Sequence, residues 1–269
     1  GRDCFGLLTI SQFVPERLGF AFTTLHASRT IVQAPGLVTD KLLCRSVCGC
    51  RILQSERWPM MKIYGMSGSP FVRRTELVLT EKGVDYKLIT LSRADGDLQS
   101  PEHLARNPRG RVPVLEDGDL ILYESQAIVE YLEDRYPEPT LVPADLGDRG
   151  HMRVAEMECL IYFGGVLTEV AQNVFMVAPE KRDPDKVSDA LAGVSAELDR
   201  LEQRGASHGG TYLMGGDITR ADLTWLPFVE LVGRAGVDID ADKYGWTKAW
   251  RAALATRPSY DKTYPAHWR

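Results

Sequence analysis

Apolar and polar positions follow no sustained period before residue 60 and clear ones after it. Lys62-Ile63-Tyr64-Gly65-Met66 reads as a short strand, and Gly65, Ser67, Gly68 and Ser69 as the turn behind it. Ser69-Pro70 has the form of an N-cap with proline at the first helical position. The helix it opens runs from Phe71 to Lys82, with Val72, Thr75, Val78, Leu79 and Lys82 on one side and Gly83 as its stop. Residues 84–91 then alternate polar and apolar side chains, the mark of a half-buried strand. Two further apolar runs, Val112 to Glu116 and Leu120 to Tyr123, flank Asp117-Gly118-Asp119, a strong hairpin signal. After Glu124-Ser125-Gln126 a helical pattern runs from Ala127 to Tyr136 and stops at Pro137. The order βαβ, connection, ββα predicts a compact α/β domain of roughly 80 residues.

Beyond a linker marked by Pro137, Pro139, Pro143 and Gly147, the pattern becomes helical throughout. Helices are predicted over 148–177, 185–204, 220–235 and 243–256. Thr219 and Asp222 have the spacing of a capping box, with Ile218 and Leu223 as a hydrophobic staple. The run from Leu223 to Val229 is apolar on most sides and predicts a central buried helix that contains Pro227.

Charge and cysteine divide the chain at the same place as the pattern does. Residues 1–60 carry +3 and the remainder −8, for a net charge of −5 over 269 residues. This acidic balance ranks a nucleic-acid partner low. No run of 18 apolar residues is present to span a bilayer as a helix. Cys4, Cys44, Cys48 and Cys50 lie in the first segment and only Cys159 in the rest, which argues against a disulfide framework and for a reducing cytoplasm. The apolar patch Phe20-Ala21-Phe22 is short and late for a secretory signal. Cys44, Cys48 and Cys50 lack the second pair or histidine that a zinc knuckle needs, and no metal is expected. Residues 1–60 are therefore expected to be an extension outside the fold, ahead of domains at 61–140 and 148–260.

The motifs resemble those of the glutathione transferase family. Asn107-Pro108-Arg109-Gly110-Arg111-Val112-Pro113-Val114-Leu115 resembles the family's loop before its third strand, and Glu124-Ser125-Gln126-Ala127-Ile128 the turn after its fourth. Gly216-Asp217-Ile218-Thr219-Arg220-Ala221-Asp222 is similar to its capping box. The resemblance covers about residues 61–260. It implies a thioredoxin-like βαβ–ββα domain followed by an all-helical domain, α/β plus all-α, with glutathione as co-substrate and a homodimer in the cytoplasm. It further implies a cis Pro113, Val112 pairing through its backbone with the cysteinyl part of glutathione, and Glu124 and Ser125 holding the γ-glutamyl end. The closest class is phi- or theta-like, serine-based and bacterial in type. Leu104 is the expected apolar dimer anchor within the 98–111 loop.

Conjugation of glutathione to an electrophile, the chemistry of detoxification, needs a thiolate, whereas a free thiol with a pKa of about 8.5 is mostly protonated at neutral pH. Ser69, at the start of a helix, is the first candidate to stabilise it, by a hydrogen bond added to the positive end of the helix dipole. Tyr64 and Ser67 are the alternatives. The absence of cysteine at 69 argues against thiol–disulfide exchange, and Cys159 reads as core. The phi-like His-Lys that holds the glycyl carboxylate is replaced here by Leu98-Gln99, so Gln99 and Arg111 are expected to share that role. Met66, Tyr162, Phe163 and Val166 are expected to line the pocket for a hydrophobic electrophile. A glutathione-dependent isomerase, dehalogenase or lyase, and a non-catalytic interaction module of the same fold, are the competing readings.

Overall fold

The computed structural model describes residues 60–240 and 242–269. The expected extension at 1–60 lies, apart from Met60, outside the described residues. The first half is a four-stranded sheet of order β2-β1-β3-β4. β1 (Met61–Gly65) pairs parallel with β2 (Tyr86–Thr90) and antiparallel with β3 (Val114–Asp117). β3 turns through Gly118 and Asp119 into β4 (Leu120–Tyr123), with Asp117 opposite Leu120. Gly118 takes the positive φ of 62° that so tight a turn demands.

The helix α1 (Pro70–Glu81) makes the parallel crossover. It buries Val72, Leu77, Val78 and Leu79 against Ile63 and Leu115 of the sheet and Ile128, Val129 and Leu132 of α3 (Ser125–Arg135). The connection after β2 folds a short helix that the pattern did not predict, α2 (Pro101–Arg106), capped by the Ser100 hydroxyl. Leu104 is half-buried there.

The second half is helical. α4 (Leu146–Met157) runs without a break through a π-helical segment (Glu158–Phe163), α5 (Gly164–Val170) and a second π-helical segment (Ala171–Phe175). α6 (Pro184–His208) lies against it. α7 (Arg220–Gly233) is the buried central helix, with Pro227 inside it. α8 (Gly245–Ala255) and α9 (Pro258–Thr263) follow. The proline-rich linker is fixed to both halves, because the Lys82 ammonium donates to the Pro139 carbonyl and the Arg220 N–H to that of Leu141. Cys159 is fully buried, and burial pushes its thiol well above the ordinary range, as expected of a core residue.

Glu76 of α1 titrates unusually. Burial raises its carboxyl from 4.5 to about 7, although Tyr86 Oη donates to it at 3.2 Å. The folded chain then keeps a proton that the unfolded chain has released between these values. The contribution of this group to stability is greatest below about pH 4.5, falls as the pH rises to about 7, and is flat above. The loss is of the order of 3 kcal/mol at about 1.4 per pKa unit. Denaturant titrations of Glu76→Gln across this window are expected to lack that slope.

Candidate active site

Four parts of the chain converge on a cavity of about 400 Å³. Arg111, Val112 and Pro113 enter from the approach to β3, and Glu124, Ser125 and Gln126 from the turn into α3. The helical half supplies Leu160, Ile161, Gly164, Gly165 and Thr168, and Phe71 comes from the first turn of α1. The N-terminus of α3 therefore opens on the cavity, whereas α1 contributes Phe71 and neither Ser69 nor Pro70 is in the wall. The first N–H groups of α3 lack helical partners, and its dipole favours negative charge.

Each wall is held from behind. The Arg111 carbonyl accepts from Asn107 Nδ2 at 2.8 Å and lies 3.0 Å from His103 Nε2, so the buried His103 carries its proton on that nitrogen. The Val112–Pro113 peptide is cis. The peptide groups of Val112 make no hydrogen bond among the described residues, which leaves an edge for an extended ligand. Glu124 has a φ of 69°, rare for a residue with a side chain. Such backbone persists only where its surroundings enforce it, and it clusters at functional sites. Glu124 is the residue before α3, and Ser125 is the first helical position rather than the cap.

Ser125 is buried and accepts from Arg74 Nη1 at 3.1 Å. Arg74 is wholly buried, and desolvation pulls its guanidinium down to about 10 against the pull of Glu156. Its Nη2 donates to Gln126 Oε1 at 2.9 Å and to Thr224 Oγ1 at 2.8 Å, and lies 3.4 Å from Glu156 Oε1. Arg220 Nη2 donates to the other Glu156 oxygen at 3.2 Å. This network joins α1, α3, α4 and α7 beneath the floor of the cavity. Sequence reasoning missed Arg74, Glu156 and His103. The available signal was a charge on the apolar face of a helix, since a buried charge must be paired.

The remaining expected residues scatter. Ser69 precedes α1 with φ −69° and ψ 123°, is half-buried, and its hydroxyl makes no cap bond. It stands two residues before Phe71 and leaves a free donor at the helix start. Tyr64 is committed elsewhere: its hydroxyl donates to Glu116 Oε2 at 2.7 Å, and the Arg106 guanidinium lies 4.3 Å from its ring centre. Burial and that carboxylate raise its pKa, the opposite of activation. Ser67 is exposed on the turn. Gln99 is exposed and lies against Gly110, outside the cavity wall. Met66 is half-buried and holds the turn through its carbonyl, which accepts from the Ser69 N–H at 3.1 Å.

The helical wall departs from expectation. Phe163 is fully buried, stacked on Trp225 at 5.3 Å, and is closed to any ligand. Val166 faces Gly193 of α6, and Tyr162 opens onto a separate groove beside Arg200 and Arg204. Residues 160, 161, 164, 165 and 168 face the cavity instead. A shift of two residues turns a helical face by about 200° at 100° per residue. The lining residues keep ordinary helical spacing, and the expected ones lie on other faces of the same helix, which pack on α7 and α6 or open on the groove. Gly165 has no atom within 4 Å of where a Cβ would stand, which leaves the wall open above the cavity.

A mixed four-stranded sheet, a cis-proline loop and a positive-φ Glu-Ser turn facing a helical wall make up the candidate site. Family models described as the glutathione S-transferase N-terminal and C-terminal domains match residues 63–140 and 170–258. Glutathione S-transferase 4 of Zea mays is 36% identical over 208 residues, 76% of this chain and 92% of the relative. The crystal structure of a glutathione S-transferase from the Antarctic clam Laternula elliptica superposes with a TM-score of 0.67 at 31% identity, covering 78% of this chain and 94% of that one. Glutathione S-transferase-I, solved with lactoylglutathione bound, gives a TM-score of 0.67 at 30% identity over 76% and 98%. The chain belongs to the glutathione S-transferase family.

Proposed function

We propose that the chain transfers the glutathione thiolate to a hydrophobic electrophile, and that Ser69 stabilises the thiolate. The observation that carries this reading is the Ser69 hydroxyl, without a cap bond at the N-terminus of α1, two residues before Phe71 of a cavity that the start of α3 makes attractive to anions. Val112 would pair with the cysteinyl peptide. Glu124 would accept from the γ-glutamyl ammonium, and the start of α3 with Ser125 would hold its carboxylate. Arg111 would face the glycyl carboxylate, with Gln99 a step further out. The electrophile would lie along Leu160, Ile161, Gly164, Gly165 and Thr168, with Met66 at its edge. Residues 61–140 would bind glutathione and 148–260 would supply the electrophile site, with residues 1–60 outside the fold.

The serine-based, phi- or theta-like class rests on Ser69; the bacterial type rests on the resemblance alone. A cytoplasmic location is proposed from the cysteine distribution. Among the described residues no helix is long and apolar enough to cross a membrane, and no group of His, Cys, Asp and Glu is arranged to hold a metal. Retention on immobilised glutathione, followed by turnover of a generic aromatic electrophile, tests the reading. A folded protein that fails both would instead be a non-catalytic module, and one that binds without conjugating would favour an isomerase, dehalogenase or lyase.

A homodimer is also proposed. The edge strand β4 exposes Leu120, Ile121 and Tyr123, and the helical half exposes Val154 and Tyr162. Pairing the first domain of one chain with the second domain of another would cover both patches, with Leu104 nearby. Light scattering at micromolar concentration is expected to give twice the chain mass, and a monomer would refute it.

A further inference from the structure

The segment after α9 is absent from any sequence-based reading of the site, yet it ends on the turn that carries Ser69. Tyr260, Tyr264 and Trp268 form an aromatic ladder, with neighbouring ring centres 5.3 and 6.0 Å apart. Their faces wrap Arg73, whose guanidinium carbon lies 5.2, 5.0 and 5.9 Å from the three ring centres. Arg73 is buried in α1, bonded to Glu230 through Nη1, while its Nε and Nη2 have no hydrogen-bond acceptor among the described residues and face the rings. Its own N–H donates to the Ser69 carbonyl at 2.9 Å. Arg234 fastens the far end, donating from Nη1 to the Trp268 carbonyl at 3.2 Å.

At the tip of the ladder, His267 Nδ1 lies 3.4 Å from Ser67 Oγ. Gly68 has a φ of 85°, and a Cβ there would stand 3.0 Å from His267 Nε2 and 3.3 Å from Trp268 Nε1. Imidazole and indole therefore lie directly on the turn from Met66 to Ser69. Within the turn the Ser69 N–H donates to the Met66 carbonyl, and the atoms nearest a Cβ at Gly68 are all side-chain atoms of the tail.

We infer that His267 and Trp268 are positioning residues of the active site, which clamp the Ser67–Gly68 turn so that the Ser69 hydroxyl is held where the glutathione sulfur ionises. The inference rests on the role proposed for Ser69. Its physical basis is the steep dependence of a charge-assisted hydrogen bond on geometry, where a misplacement of about 1 Å can cost on the order of 100-fold in rate.

The test uses the full chain. His267 is exposed, so His267→Ala is expected to fold and melt as the parent does. The pH titration of thiolate absorbance for bound glutathione is expected to move upward by about 0.5–1 unit in His267→Ala and Trp268→Ala. Turnover at neutral pH is expected to fall about 3- to 10-fold, with KM for glutathione within about 2-fold. Trp268→Phe, which keeps a ring on the turn and on Arg73, is expected to restore most of the loss. In a Ser69→Ala background the same substitutions should add no further shift, because they act through Ser69. Tail variants with an unmoved thiol titration, or with an undiminished effect in the Ser69→Ala background, overturn the inference. If Ser69→Ala itself shifts the titration while the tail variants do not, only the clamp falls. If Ser69→Ala leaves the titration unmoved, the role of Ser69 falls and the clamp with it.

Discussion

Ser69→Ala is expected to raise the pKa of the bound glutathione thiol by about 1–2 units, the equivalent of ~1.4–2.7 kcal/mol for one charge-assisted hydrogen bond. Turnover at neutral pH should fall by roughly one to two powers of ten and recover as the pH rises, because the missing stabilisation concerns only the ionised form. The direction follows from the sign. The hydroxyl favours the thiolate, so removing it leaves more protonated thiol in the window between the old and new values, and nothing is lost above the new one. The helix start remains, since Phe71 and Val72 keep their N–H groups at the head of α1. Glutathione affinity should change much less, because the Val112 and Glu124–Ser125 walls do not involve this hydroxyl. Side-by-side pH–rate profiles check it. An unchanged profile would return the assignment to Ser67 or Tyr64, although the Tyr64 hydroxyl is already spent on Glu116.

Asp222→Ala is expected to cost about 3–5 kcal/mol, well above the 0.5–2 of an ordinary cap. Asp222 is fully buried and accepts four hydrogen bonds. Thr219 supplies its N–H at 2.8 Å and its hydroxyl at 2.9 Å, while the Leu213 N–H reaches the other oxygen at 2.8 Å and Trp250 Nε1 at 2.9 Å. Truncation removes the acceptor and strands a buried indole and two backbone donors. Burial raises the Asp222 carboxyl despite these donors, which shows how heavily the site penalises charge. Denaturant titration and thermal melting measure the loss. A change near 1 kcal/mol would mean that Leu213 and Trp250 find other partners.

The same residue shows where sequence reading stops. The spacing from Thr219 to Asp222 is local and identifies a helix start without further help. That Asp222 also anchors Leu213 and Trp250, 9 and 28 residues away, depends on how the chain closes. The other elements divide in the same way. The crossover helix, the hairpin at Gly118-Asp119, the central helix α7 and the linker were all legible, because period, turn chemistry and caps act over a few residues. The Asn107–Leu115 and Glu124–Ile128 segments could be picked out as motifs, since each is a short contiguous run.

Tertiary structure decided the rest. Phe163, Val166 and Tyr162 have the right composition for a pocket wall, but the packing of their helix turns them onto the core, onto α6 and onto a separate groove. Arg74 and Glu156 look like surface charges in the sequence and meet only because α1, α3, α4 and α7 close around them. His267 lies 200 residues from Ser67, so no local pattern could connect them. From its sequence alone this chain is a two-part glutathione-transferase-like fold with the family's loop and turn motifs legible. Which side chains face the cavity, and what lies on the serine turn, are set by long-range packing, because helix register and chain closure are global properties that short-range spacing does not encode.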